Sequence, residues 1–572
     1  MKKILFPFIT LVLLFACNQK AKTVAEVPVN QKFEQYKKGF VTTLWNVYPD
    51  WASNQGFHEL DSVLVITDSI YLKKQLDFAH SQLDSIQNYQ VDNLSDSNII
   101  DYYIIKNQLQ STIFRIDKLK SYQWNPAEYN GKYDQLETRL HHFNIKMNGI
   151  TAYYDAAKKN IRNPTLEHTA LAISQNLGGI SVFEKDLNNA LSKSKLAAKD
   201  RKEIKEKAKL AINAIVDYTN WLKDLKNTTP RSFRLGSELY KEKFELEIQS
   251  NYKADTIFKK AVKHKKELHV KMFALADKLW PKYMKSVVKP QDSLLLIKTV
   301  IDKISLQHTT PNNFQSAIEK QIPELIAFVK EKDLLYIDPA KPLVVRKEPD
   351  YMAGVAGASI SAPGPYDKNG NTYYNVGSLS GWPAQKSESY LREYNDYVLQ
   401  ILNIHEAIPG HYTQLVYSNQ SPSLIKSILG NGAMIEGWAV YAELMMLENG
   451  YKNSDEMWLM YYKWNLRTTC NLILDYSVHV KNMSQVEVMQ LLMVEAFQQQ
   501  AEAEGKWNRV SLSQVQLCSY FTGYTEIYEL REQLKKEQGT AFNLKNFHEK
   551  FLSYGSAPVK YIKELMIKDL KK

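Results

Sequence analysis

Apolar residues recur every three to four positions over most of this chain. Leu136, Leu140, Phe143 and Met147 fall on one helical face, as do Val262, Leu268, Met272 and Leu275, and that period marks an amphipathic helix. The helical pattern runs from about Phe33 to Val329. It is punctuated by Asn163-Pro164, Thr229-Pro230 and Trp280-Pro281, pairs that predict helix boundaries. No repeat of fixed period is evident, which argues against a solenoid.

The pattern changes between about Leu334 and Pro383. Leu343-Val344-Val345, Val355 to Ser361 and Thr372 to Val376 are short β-prone runs, separated by Pro363-Gly364-Pro365 and Asp367-Lys368-Asn369-Gly370. Such runs between turn signals predict a small antiparallel sheet. Helical period returns at Tyr390, Tyr394, Val398 and Ile401 and runs straight into His405. Further helices are expected from Trp458 to His479, Glu487 to Ala503 and Tyr520 to Lys536. The pattern therefore predicts a mostly α fold. Residues 33–333 form an N-terminal helical part, 334–385 a small β region and 386–572 a second helical part, together one compact domain.

Composition agrees. At 572 residues there is ample chain for a large core, and 22 glycines and 19 prolines are too few for a many-turned β protein. The first residues read as an export signal: Lys2 and Lys3, then the apolar run Ile4 to Phe15, too short to span a bilayer. Leu14-Phe15-Ala16-Cys17 resembles a bacterial lipobox. Residues 1–16 would then be removed, Cys17 lipidated, and residues 17–32 left as a tether to the membrane of the cell envelope. An ordinary secretory signal or an uncleaved anchor is the alternative. Losing Lys2 and Lys3 lowers the formal net charge of +11 by two. The remaining excess lies on lysine-rich helices such as Lys259 to Lys271, and with no base-reading motif beside it the charge reads as solvated helix surface rather than a nucleic-acid site. Cys470 and Cys518 sit in apolar helical settings and read as buried thiols.

The candidate chemistry lies at His405-Glu406-Ala407-Ile408-Pro409-Gly410-His411, with Glu436-Gly437-Trp438-Ala439 downstream. Two histidines and a later glutamate are a donor set suited to one zinc ion, leaving a fourth position for water. Glu406, beside the first histidine, would take the proton from that water. The spacing is unusual. Histidines four apart share a helix face, but six apart they are separated by roughly 240° around an ideal axis. Pro409 and Gly410 offer a break that returns His411 toward the metal. Otherwise the helix simply ends at Pro-Gly, with two partly exposed histidines near its end.

H-E-A-I-P-G-H followed by E-G-W-A-V-Y-A-E resembles the paired signature of the bacterial domain-of-unknown-function 885 family. Asn125-Pro126-Ala127-Glu128-Tyr129, Phe233-Arg234-Leu235-Gly236 with Tyr240, and Ser519-Tyr520-Phe521-Thr522-Gly523 are similar to further family segments. The resemblance implies a zincin-like helical metallopeptidase fold, with His405, His411 and Glu436 as zinc ligands and Glu406 as base. It also implies that an edge strand near the metal holds the substrate backbone.

These readings lead to a zinc-dependent peptidase acting on short peptides. Glu443 lies seven residues past Glu436 on the same helix face and would orient a ligand, or else is solvated. Tyr520 would donate to the oxyanion. Arg467, with His479 nearby, would clamp a C-terminal carboxylate in a carboxypeptidase- or dipeptidase-like reaction; otherwise both are structural helix residues. The rival function is a surface lipoprotein that binds glycans or peptides without chemistry, or a degenerate peptidase.

Overall fold

In the computed structural model, which describes residues 28–130, 140–348, 358–367 and 370–570, the chain is mostly helical. The signal, Cys17, the tether before residue 28, Leu136 and the first residues of the second β-prone run lie outside the described residues. The first helix, α1 (Val29–Val47), buries Phe33, Phe40, Val41 and Leu44, the spacing that turns one helical stripe into a core. It also buries a charge. Lys37 Nζ lies 2.6 Å from Asp101 Oδ2 on α2 (Asp96–Ile113), and Lys426 Nζ approaches the other oxygen at 3.2 Å. Ser423 Oγ donates to the same carboxylate at 2.7 Å. Two ammonium groups and one hydroxyl thus surround a fully buried carboxylate with compensating charge, as a buried charge requires.

The long helix α3 (Ala254–Tyr283) carries the predicted Pro281 inside its last turn instead of beyond its end. One apolar core runs from Phe33 to Met566 and draws on both helical parts. A second, smaller core gathers Tyr129, Phe143, Tyr154, Phe183 and Tyr218. Cys470 and Cys518 are buried and unpaired.

The β region forms a three-stranded sheet in the order β1 (Leu343–Lys347), β3 (Thr372–Val376), β2 (Ala358–Ser361). It is mixed, not wholly antiparallel as the turn signals predict. β2 and β3 form the expected antiparallel pair, with Ala358 opposite Val376. β3 then inserts between β2 and β1 and runs parallel to β1, with Leu343 opposite Thr372. Central β3 ties the sheet to the helices, because the buried Tyr374 hydroxyl donates to Asn403 Oδ1 at 2.8 Å.

Two predicted helices are each two. The run from Tyr390 to His405 splits into Ala384–Glu393 and α4 (Asp396–Glu406). Asn395 causes the split: its side-chain oxygen accepts from the backbone N–H of Tyr397 and Val398, an N-cap that starts a new helix. After α4 come α5 (His411–Asn419), α6 (Gly432–Glu448) and α7 (Asp455–Lys481). Asn431 and Ser454 cap the last two by accepting from Met434 N and Met457 N. The run Glu487 to Ala503 is interrupted at Phe497, whose φ is +55°. Beyond it α8 (Gln500–Leu512) begins, followed by α9 (Cys518–Gln538).

Candidate metal centre

Helix α4 stops at Glu406, and α5 starts at His411. The four residues between them turn the chain back, with a cis peptide bond at Ile408-Pro409. Gly410 makes the return tight: a Cβ there would sit 1.9 Å from the His405 carbonyl oxygen and 2.3 Å from that of Ile404. Only glycine allows that approach. Fully buried Trp438 on α6 holds the turn from the other side, donating Nε1–H to Pro409 O at 2.9 Å. The two imidazole rings end 4.8 Å apart and nearly perpendicular.

Glu436 on α6 meets both. Its Oε2 lies 3.3 Å from His411 Nε2 and 3.7 Å from His405 Nε2, and one donor atom from each of the three residues lies within 4.8 Å of the others. Donors 2.0–2.2 Å from a shared tetrahedral centre sit roughly 3.3–3.6 Å from one another; the two Glu436 separations are close to that, and the three residues could hold one metal ion. Their polar atoms also want a further partner. Glu436 Oε2 is buried and its approaches to the imidazoles lack hydrogen-bond geometry; His411 Nδ1 and Glu443 Oε2 are buried without a hydrogen bond among the described residues. Buried polar atoms are normally satisfied.

Glu443, two turns beyond Glu436 and fully buried, accepts from His405 Nδ1 at 2.6 Å and from Trp464 Nε1 at 2.9 Å. It turns His405 so that Nε2 faces Glu436, the carboxylate–histidine arrangement typical of metal ligands. Electrostatics follow. Burial opposes charge on His405, yet the Glu436 and Glu443 carboxylates beside it outweigh that and raise its pKa to about 10. Burial likewise raises the Glu436 carboxyl, but the two histidines hold it well below the usual range. Glu406 is raised by burial, an effect the nearby histidines only partly offset. Its carboxylate has no hydrogen-bond partner among the described residues.

Helix α9 brings in Tyr520. Gly437 and Gly523 lie where α6 and α9 cross, and a Cβ on Gly523 would come within 1.7 Å of Ala433 O. With no side chain on either helix at that point, Tyr520 reaches the site. Its ring lies 6.4 Å from that of His405, nearly parallel, and its hydroxyl accepts from Arg509 Nη2 at 3.0 Å. Burial pushes its pKa up to about 12, so the hydroxyl keeps its proton.

Arg467 on α7 is near the site but already engaged. Its guanidinium stacks on Trp464 at 4.5 Å and donates Nε and Nη2 to Glu502 Oε1 at 3.1 and 2.5 Å. The clamp expected of Arg467 is thus filled by the protein itself. His479 does not join the site. It is fully buried, with Nε2 against the carbonyls of Val510 and Ser513 at 2.9 and 3.2 Å, and its own carbonyl accepts from Gly236 N at 3.0 Å. Twelve residues separate it from Arg467, about 18 Å along a helix. The expected substrate contact is therefore a core residue.

Sequence reasoning missed Trp464, Glu502, Lys506 and Arg509. The last three fall at i, i+4 and i+7 of α8, a charge stripe that reads as solvated surface until the neighbouring helices are in place.

The bacterial family of proteins of unknown function DUF885 matches residues 49–566. A solved protein from Shewanella oneidensis, described as a "putative lipoprotein of unknown function", is 50% identical, with 94% of this chain and 99% of that chain covered and a TM-score of 0.83. A second solved protein, described as a "putative lipoprotein" from Colwellia psychrerythraea, is 14% identical over 95% of this chain and 100% of that one, with a TM-score of 0.78, and shares the fold. No curated protein matches this chain.

Proposed function

The chain belongs to the bacterial DUF885 family, and with that membership as premise we propose that it is a zinc-dependent peptidase acting on short peptides. The observation that carries the proposal is the convergence of His405, His411 and Glu436 beside Glu406, whose carboxylate has no hydrogen-bond partner among the described residues. His405, His411 and Glu436 would hold a zinc ion, which would supply Lewis acidity toward a peptide carbonyl and water. Glu406 takes the proton of the attacking water on its carboxylate and passes it to the leaving amine nitrogen. Burial raises its pKa above the ordinary carboxylate value, which makes it the better proton acceptor. The Tyr520 hydroxyl donates to the oxygen on which negative charge develops. Glu443 keeps His405 in the orientation that binding needs.

Metal analysis of the full chain beside its Glu406→Gln variant tests this. The expected result is about one zinc per chain in both, with peptide hydrolysis lost only in the variant. Wild-type turnover in Glu406→Gln, or no zinc in either, would overturn the reading.

The envelope location is part of the proposal. It is supported by the lipobox-like Leu14-Phe15-Ala16-Cys17 and by the description of the Shewanella relative. No helix among the described residues is long and apolar enough to cross a membrane.

A further inference from the structure

Cations beside the metal centre meet carboxylates within hydrogen-bond reach, except on one helix. Lys463 Nζ meets Glu393 Oε1 at 2.7 Å, both side chains 3% exposed. Arg467 meets Glu502. The exception lies on α8. Lys506 is four residues past Glu502 and three before Arg509, so the three share one face. That face is fixed at both ends: Glu502 by Arg467, and Arg509 by the Tyr520 hydroxyl, whose ring lies against His405. Lys506 therefore lies between them on the side of the metal centre, near enough for the Glu436 carboxylate to favour its charged form.

The Lys506 side chain is only 5% exposed, and its nearest carboxylate oxygen, Glu502 Oε1, is 3.9 Å away, beyond hydrogen-bond reach. No described residue accepts from its ammonium. Arg509 gives Nη2 to two neutral acceptors, Gln516 Oε1 at 2.7 Å and the Tyr520 hydroxyl, and to no carboxylate. A buried ammonium with no acceptor is costly and persists where an anion comes to meet it. Burial, with Arg467 and Arg509 close by, pushes the Lys506 pKa well below its ordinary value; an arriving anion would reverse that push.

We propose that Lys506, assisted by Arg509, holds a carboxylate of the substrate beside the metal centre. The inference rests on the peptidase reading for the reaction and narrows it to peptides with an anionic group near the cleaved bond. That carboxylate is either the free C-terminus or an acidic side chain. Arg467, matched by Glu502, positions α8 and takes no part in binding the anion.

Calorimetry on the full chain carrying Glu406→Gln, so that bound peptide is not turned over, tests the proposal. The probes are acetyl-Ala-Ala as free acid and as amide, and acetyl-Ala-Glu-amide beside acetyl-Ala-Gln-amide. Charged hydrogen bonds predict roughly ten- to a hundredfold tighter binding for the carboxylate member of one pair, and that pair identifies the source. Lys506→Met should remove the preference, Lys506→Arg keep it, and Arg509→Gln reduce it. Lys506→Met should also melt higher than its parent, because a buried ammonium without a hydrogen-bond acceptor is gone; a lysine with a structural role would melt lower. Equal binding within both pairs, or a preference that survives Lys506→Met, overturns the proposal. Should Lys506→Met fail to fold, the acid-to-amide ratio with and without Arg509→Gln decides. Zinc measured in the same samples separates the two readings: a Lys506-dependent preference without zinc sinks the peptidase and leaves the carboxylate site standing.

Discussion

His405 Nδ1 and Glu443 Oε1 lie 2.6 Å apart with both side chains buried, and that bond selects the ring nitrogen turned toward Glu436. Glu443→Ala should therefore weaken zinc binding by about 10–100-fold, whereas His405→Ala, His411→Ala and Glu436→Ala should each abolish stoichiometric binding. Competition against a chromogenic chelator measures both effects. Unchanged affinity in Glu443→Ala would reduce that residue to packing.

Gly410→Ala tests the return of the chain. Its Cβ would be driven into the His405 carbonyl, so α5 must shift and carry His411 out of place. Overpacking of this kind costs about 1–3 kcal/mol, occasionally more. The expected outcome is a lower melting temperature together with lost zinc. Gly505→Ala, inside α8 where a Cβ meets nothing within 4 Å, serves as control: it should keep its zinc and melt no lower, since Ala favours the helix over Gly.

Glu526 sets a pH dependence of stability away from the site. Its carboxylate accepts from Ser250 Oγ at 2.7 Å and Asn251 N at 3.2 Å, but burial outweighs both and raises its pKa to about 7. The folded state then binds a proton that the unfolded state has released, so this contribution to stability is present below the ordinary carboxylate range and lost as pH rises toward 7. Glu526→Gln keeps an acceptor and loses the titration. At pH 8 it should be more stable than wild type by about 1–3 kcal/mol, and at pH 4 the two should be equal. Parallel urea midpoints across that range would reject the assignment.

Cys17→Ser checks the anchor. Labelling with a radioactive fatty acid should vanish, and the protein should leave the membrane fraction. Persistence in the membrane would mean that the apolar run Ile4 to Phe15 is itself the anchor.

Local signals were legible where period and capping agreed. Asp455–Lys481 and Cys518–Gln538 follow sustained apolar spacing, and the donor set could be named because its residue types are chemically distinctive. The break at Asn395 was obscured by apolar Tyr394 and Val398 on either side, although Asn-Asp is a readable cap. The parallel pairing of β1 with β3 joins strands 29 residues apart, and no turn signal specifies it. The approach of His411 depends on Gly410 packing against a carbonyl five residues back, a contact in space that helical geometry alone argued against. The partner of Arg467, Glu502, lies on another helix, which spacing along the chain does not reveal. Whether the stripe of Glu502, Lys506 and Arg509 is dry or wet is decided by the helices that cover it.

The buried set of Lys37, Asp101, Ser423 and Lys426 has a practical consequence. It fastens the first helix to the segment between the two ligand-bearing stretches. A fragment starting at the β region would strip the counter-charge from Lys426 and open the shared core, at a cost of about 3–5 kcal/mol for the orphaned ion alone. The motifs of the candidate site are therefore not a portable cassette. Transplanting this site, or trimming the protein around it, has to begin from the whole helical body.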